Sequence, residues 1–189
     1  MSKRYGPWTQ LRSRIAYRNP WLSIQEDKVI QPNGKRSTYA FLKKAPAIFV
    51  VAFTGKEIYL LQQFRYVLKK AIYEIPAGSV TGKAVLKNAK RELFEETGLR
   101  AQRWTRLGKH YDAPGHESAY ITTYLAEDLD ESSVHTRGQE GDESILSISK
   151  VSLPRLRTMI MHGKIECGLT LASLNYFFTY LRTVRHQNV

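Results

Sequence analysis

Between Ala47 and Phe53 the chain is almost uninterruptedly apolar, and after Gly55-Lys56 a second such run follows, Glu57–Phe64. Short continuous runs of this kind predict strands buried on both faces, so the pair reads as two central strands. The N-terminal pattern is different. Ser23–Ile30 and Lys35–Leu42 are extended in character, and Pro32-Asn33-Gly34 between them predicts a hairpin turn. Trp8, Tyr17, Trp21, Tyr39 and Phe41 make this part aromatic-rich. Residues 1 to about 45 therefore read as an N-terminal antiparallel strand layer. The aromatics suit core packing, and the alternative use is a platform on which a base stacks.

Further on the period becomes helical. Val85, Leu86, Ala89 and Leu93 recur at the spacing of one helix face. Pro76, Gly78 and Gly82 lie ahead of them and Gly98 behind, which predicts loop, helix and stop across Glu74–Leu99. Glu92 and Glu96 fall one turn apart at the margin of the apolar face, with Glu95 a little further round. Carboxylates crowded at a buried edge repel one another and are costly to desolvate. A hard divalent cation bound through oxygen removes both problems. A solvated acidic helix face is the other reading of the same residues.

The remaining elements are ordinary. Trp104–Tyr111, Tyr120–Leu125 and Ile145–Val151 predict strands, and Glu127–Glu143, polar with Gly138 and Gly141, reads as a mobile loop. Ser152 as N-cap, Pro154 in the first turn and Gly163 after His162 bound one helix. Another runs from about Leu169 to Arg182, with Leu171, Leu174, Phe177, Phe178 and Leu181 as its packing stripe. No repeat or low-complexity tract interrupts the chain.

Composition narrows the class. At 189 residues, 42% hydrophobic and 24% charged, the chain suits a globular protein with a sizeable core rather than a disordered one. No apolar run approaches the roughly 20 residues of a membrane helix, and the basic N-terminus lacks an apolar signal segment. The expected compartment is the cytoplasm. The single cysteine, Cys167, excludes an internal disulfide and a cysteine zinc cluster, and is expected to fill a helix interior. A net charge of +12 attracts polyanions, so nucleic acid is a candidate partner. A small substrate carrying two phosphates fits the same charge equally, and a solvated basic surface is the third reading; no RNA-binding signature accompanies the charge.

The run Arg91-Glu92-Leu93-Phe94-Glu95-Glu96-Thr97-Gly98-Leu99 resembles the second half of the Nudix box, G-x5-E-x7-R-E-U-x-E-E-x-G-U with U apolar, without exception. The first half departs from it. From Gly78 to Arg91 the chain is one residue short, and Lys83 stands where the family has its first Glu. Gln62-Gln63-Phe64-Arg65 and Glu74-Ile75-Pro76-Ala77-Gly78 resemble the Q-Y-R and E-L-P-A-G segments of the ADP-ribose and nucleotide-sugar pyrophosphatase branch. Asp112-Ala113-Pro114-Gly115-His116-Glu117 is similar to that branch's S-P-G loop followed by a Glu, with Ala113 replacing the Ser.

The resemblance implies an α/β fold, an α/β/α sandwich around a mixed sheet over 46–189, preceded by the strand layer of 1–45. It implies metal-dependent hydrolysis of a nucleoside diphosphate linked to a sugar, with Mg2+ or Mn2+, ADP-ribose leading and nucleotide sugars next. A non-catalytic binding module and an RNA-processing enzyme are the alternatives. Glu92, Glu95 and Glu96, with the Ala77 carbonyl, are the implied metal ligands, and Glu95 doubles as a water-holding catalytic group. Arg65 would grip phosphate, bidentately as Lys cannot. Glu74, Gly78 and Glu117 are expected in substrate binding, Glu117 as an extra acid near the metal. The general base is expected in Glu140-Gly141-Asp142-Glu143, at Glu143 ahead of Glu140. The branch pairs through its N-terminal strands, so a homodimer is expected.

Overall fold

The computed structural model describes residues 2–134 and 144–186. The chain divides into two units: Met1–Pro46 with Tyr111–Tyr120, and Ala47–His110 with Ile121–Val189.

The first unit is a four-stranded antiparallel sheet in sequence order: β1 (Lys3–Tyr5), β2 (Trp8–Arg18), β3 (Leu22–Ile30) and β4 (Arg36–Lys44). The predicted turn between β3 and β4 forms, with Gly34 at φ 79° and its N–H donating to the Gln31 carbonyl at 2.9 Å. That positive φ is what the turn requires of a glycine. The segment Tyr111–Tyr120 joins this sheet through the Leu42 N–H, which donates to the His116 carbonyl at 2.8 Å.

The second unit is built on β5 (Ala47–Ala52) and β6 (Glu57–Arg65). Each pairs with a later strand of its own sheet. β7 (Lys70–Glu74) pairs with β6, and β8 (Ala77–Ser79) pairs antiparallel with β5. After helix α1 (Val85–Thr97) come β9 (Arg100–Tyr111), β10 (Tyr120–Asp130), β11 (Ile145–Ser152), α2 (Leu153–Met161) and α3 (Gly168–His186). One sheet has the order β8-β5-β10-β9, with β5 and β10 parallel, and the other has the order β11-β6-β7. The pattern along β5 explains its unbroken apolarity. Phe49, Val51 and Phe53 pack with Leu156, Leu174 and Phe177 of α2 and α3. Ile48, Val50 and Ala52 pack with Ala89 and Leu93 of α1. A strand with helices on both faces needs apolar residues at every position.

β5 and β6 are each a central strand, as expected, of two different sheets, with a bridge between Phe53 and Ile58; an apolar run reports burial, not partner. Other expectations change. Ala77–Ser79, expected as loop, is a short strand on the edge of β5. β10 continues to Asp130, into the stretch read as loop. Cys167 lies just before α3 rather than inside a helix. It packs against the larger core, and burial pushes its thiol pKa up, which disfavours the thiolate.

Candidate active site

The Glu92 and Glu96 side chains are carried by α1, whose buried positions are Asn88, Ala89, Glu92, Leu93, Glu96 and Thr97. Ala89 and Leu93 hold the helix to the core, and the same face brings both carboxylates inside, at 8% and 3% exposure. Gly98 ends the helix in the left-handed region, φ 74°, its N–H donating to the Phe94 carbonyl at 2.7 Å.

The loop ahead of the helix closes on these acids. The Ala77 N–H donates to Glu96 Oε2 at 2.9 Å. At Gly78 a methyl group would overlap the Glu92 carboxylate, so the absence of a side chain is what lets the backbone come so near. Pro76 anchors the loop from behind, its carbonyl accepting the Val50 N–H at 2.8 Å.

Asn88 braces the loop ahead of the helix. Its Oδ1 accepts from the Thr81 N–H at 3.0 Å and the Thr81 hydroxyl at 2.9 Å. Its Nδ2 donates to the Thr81 and Ala84 carbonyls, each at 3.0 Å. Lys83 is exposed and makes no ion pair among the described residues. Sequence reasoning missed Asn88. Its one signal is an asparagine within a helix, where the residue is disfavoured unless its amide has work to do.

Arg91 bridges Glu92 and Glu95, the second pair across one helical turn. Burial by itself lowers the Arg91 pKa, but the two carboxylates outweigh it and hold the guanidinium above its usual value. Glu95 is therefore drawn toward Arg91, and Glu92 and Glu96 form the buried pair. Among the described residues no group of three or more His, Cys, Asp or Glu side chains is disposed to hold a metal ion alone. The donors themselves are of the right kind. Two buried carboxylates beside a strand rich in backbone oxygen suit a hard divalent cation, which completes its shell with carbonyls and water.

Arg65, at the end of β6, faces Glu74 across the β6–β7 pair. Its Nη2 and Nε donate to Glu74 Oε2 at 2.6 and 2.8 Å. Glu74 is 5% exposed, so it acts as a buried anchor that fixes the guanidinium through two of its N–H groups. Glu117 lies in the first unit, where its Oε2 meets the Lys44 ammonium at 2.8 Å. Glu140 and Glu143 lie outside the described residues.

The chain is similar to known proteins over most of its length. Residues 43–162 match the NUDIX domain model, and residues 8–42 match the nucleoside diphosphate sugar hydrolase N-terminal domain. An ADP-ribose pyrophosphatase of Bacillus subtilis is 29% identical over 157 residues, covering 82% of this chain and 84% of the relative. A methanol dehydrogenase activator of Bacillus methanolicus gives the same identity and coverage. An ADP-ribose pyrophosphatase of Mycobacterium tuberculosis is 26% identical over 155 residues, covering 80% and 74%. A crystal structure of an ADP compounds hydrolase superimposes with a TM-score of 0.80 at 21% identity, over 96% of this chain and 98% of that one.

Proposed function

The chain belongs to the Nudix family, and on that premise we propose that it hydrolyses the pyrophosphate bond of a nucleoside diphosphate linked to a sugar. ADP-ribose is the leading substrate and a nucleotide sugar such as GDP-mannose the next; the products are nucleoside monophosphate and sugar phosphate. The observation that carries this reading is the buried pair Glu92 and Glu96, held one turn apart on α1 under the loop of Ala77 and Gly78. Two relatives named as ADP-ribose pyrophosphatases and the match of residues 8–42 support the substrate class.

Glu92, Glu96 and the Ala77 carbonyl would hold Mg2+ or Mn2+, with Glu95 as a further ligand or as the group that holds water. When bound, such a cation neutralises phosphate charge and makes hydroxide accessible near neutral pH. The chain's own residues do the rest. Gly78 lets the loop backbone approach the helix carboxylates. Arg65, braced by Glu74, presents its remaining N–H groups to a phosphate oxygen. Water adds to one phosphorus as the bridging P–O bond breaks, and a carboxylate takes the water proton. Glu143, with Glu140 as the alternative, is the proposed base.

The homodimer is part of the same proposal. Tyr17 and Trp21, 52% and 78% exposed, with Ile15 and Ile24, leave apolar surface on the first unit for a second copy to cover. Light scattering that returned a mass near 21.7 kDa at micromolar concentration would count against it. The small-molecule partner and a cytoplasmic location complete the reading. No helix among the described residues is long and apolar enough to cross a membrane.

The deciding experiment is a panel of ADP-ribose, nucleotide sugars, nucleoside triphosphates and capped RNA with magnesium, resolved by chromatography. Release of monophosphate from the first two classes is expected. Turnover confined to triphosphates or capped RNA would sink the substrate assignment.

A further inference from the structure

A cavity of about 330 Å3 opens in the second unit, where the turn before β6 meets α2 and α3. Its size falls within the ordinary range for small-molecule sites. Leu153, Phe178 and Leu181 give it apolar walls, and Lys56, Arg157 and Arg182 line it as well. The fold itself sets these walls. Phe178 and Leu181 pack against the larger core, and the Leu153 N–H donates to the Lys56 carbonyl at 3.4 Å. The turn is closed by the Thr54 hydroxyl, which accepts from the Glu57 N–H at 3.0 Å.

The cations are the anomaly in this lining. No acid is found among the described lining residues, and none of the three cations makes an ion pair among the described residues. The Arg157 guanidinium lies 5.2 Å from the centre of the Phe178 ring, which holds its charge at the cavity wall. Lys56 and Arg182 are exposed, and their long stems let the charged ends swing over the mouth. Three like charges around one concave surface repel one another and raise its positive potential, which an anion relieves. Water and salt serve a flat basic patch, but they gain nothing from apolar walls. The complementary ligand is therefore amphiphilic, with an apolar body and one anionic end.

We propose that this cavity binds a small organic anion, its apolar body seated against Leu153, Phe178 and Leu181 and its carboxylate or phosphate held by Arg157 with Lys56 and Arg182. Arg157 suits either head group, because a guanidinium presents paired N–H donors to two oxygens at once. A polyanion such as nucleic acid fits less well, since its charged backbone has no use for the apolar walls. The site does not rest on the hydrolytic reading. Lys56 precedes β6 and Arg65 ends it, so the 9 residues of that strand, about 30 Å of extended chain, separate the cavity from the proposed phosphate grip.

Titration calorimetry with octanoate, octyl phosphate, octanol and inorganic phosphate tests it, with a chelator present so that no cation recruits phosphate to α1. Each octyl anion is expected to bind at least about tenfold more tightly than octanol or inorganic phosphate, the scale of hydrogen bonds to charged groups. Arg157→Gln is expected to remove that advantage while octanol binding and the circular dichroism spectrum stay unchanged. Methyl NMR on the unaltered protein should place the octyl chain at Leu153 and Leu181. Octyl phosphate binding ahead of octanoate identifies a phosphorylated ligand, and the reverse order a carboxylic acid; both orders uphold the site. Octanol binding as tightly as the anions, inorganic phosphate matching octyl phosphate, anion affinity that survives Arg157→Gln, or methyl shifts confined to other residues would overturn the proposal. A protein that binds the octyl anions as expected but hydrolyses nothing retains this site and loses the catalytic reading. The opposite pair of results loses the site alone.

Discussion

Helices α1 and α3 bury one face each, and they bury opposite kinds of residue. On α3 the fully buried positions include Leu174 and Phe177, with Phe177 meeting Phe53 edge-on at 5.1 Å. Its buried polar residues are small and paired, as in the 2.9 Å contact of the Ser173 and Thr123 hydroxyls. On α1 the buried set adds Asn88, Glu92, Glu96 and Thr97 to Ala89 and Leu93. Burying carboxylates costs stability unless they are matched by donors and cations, as Ala77 and Arg91 match them here. Four of the six buried positions of α1 are polar, two of them carboxylates. On the proposed function, the difference teaches that activity and stability reside on separate helices.

The sharpest way to break this division is to damage each helix at its centre. Glu96→Gln keeps the shape and an acceptor for the Ala77 N–H but removes the charge. Turnover of ADP-ribose should fall by at least about a thousandfold, or about 4 kcal/mol in the barrier. The denaturant midpoint should barely move. Phe177→Ala should do the reverse. Emptying a fully buried aromatic site costs about 3–5 kcal/mol of stability. Chemical denaturation should show that loss, while the protein that stays folded at low temperature keeps its kcat. Comparable losses of turnover in both variants would erase the distinction.

Two smaller changes test the borderland between the helices' roles. Asn88→Ala deletes four hydrogen bonds and leaves the Thr81 N–H without its acceptor. A stability loss of about 1–3 kcal/mol is expected. Turnover should drop with it, because the same loop carries Ala77 and Gly78. The smallest effect belongs to Lys83→Glu. The resemblance implies that a carboxylate there pairs with Arg91, which would loosen its grip on Glu92 and Glu95. The magnesium concentration for half-maximal activity should fall by about threefold or less, with kcat unchanged or raised. Loss of activity would give Lys83 a role of its own, on a substrate phosphate for instance.

Much of this was legible in the chain. The unbroken apolarity of Ala47–Phe53 predicts a strand covered on both faces, and α2 with α3 on one side and α1 on the other are that cover. Arg91–Leu99 marks both the helix and its carboxylates. Other features lie beyond what the residue pattern encodes. That β5 and β6 enter different sheets is a choice of partner, set by register and packing over long sequence separation. β8 is too short, and too rich in glycine and alanine, to carry a strand signal. The pairing of Arg65 with Glu74 could be read only once β6 and β7 lay side by side. The bridging of Arg91 to Glu95 follows from helical spacing alone.

The position of β5 has a consequence for how this protein opens. It is hydrogen-bonded on both edges, parallel to β10 and antiparallel to β8, and its residues from Ile48 to Ala52 are almost wholly inaccessible. Amide protons there can exchange with solvent only when the second unit unfolds as a whole. Those of the loop around Thr81 need only the four Asn88 hydrogen bonds to part. Deuterium uptake should therefore run on two clocks, fast at the loop and slow at β5. The faster clock measures how often the protein disassembles the loop ahead of α1 while the fold around it stays shut.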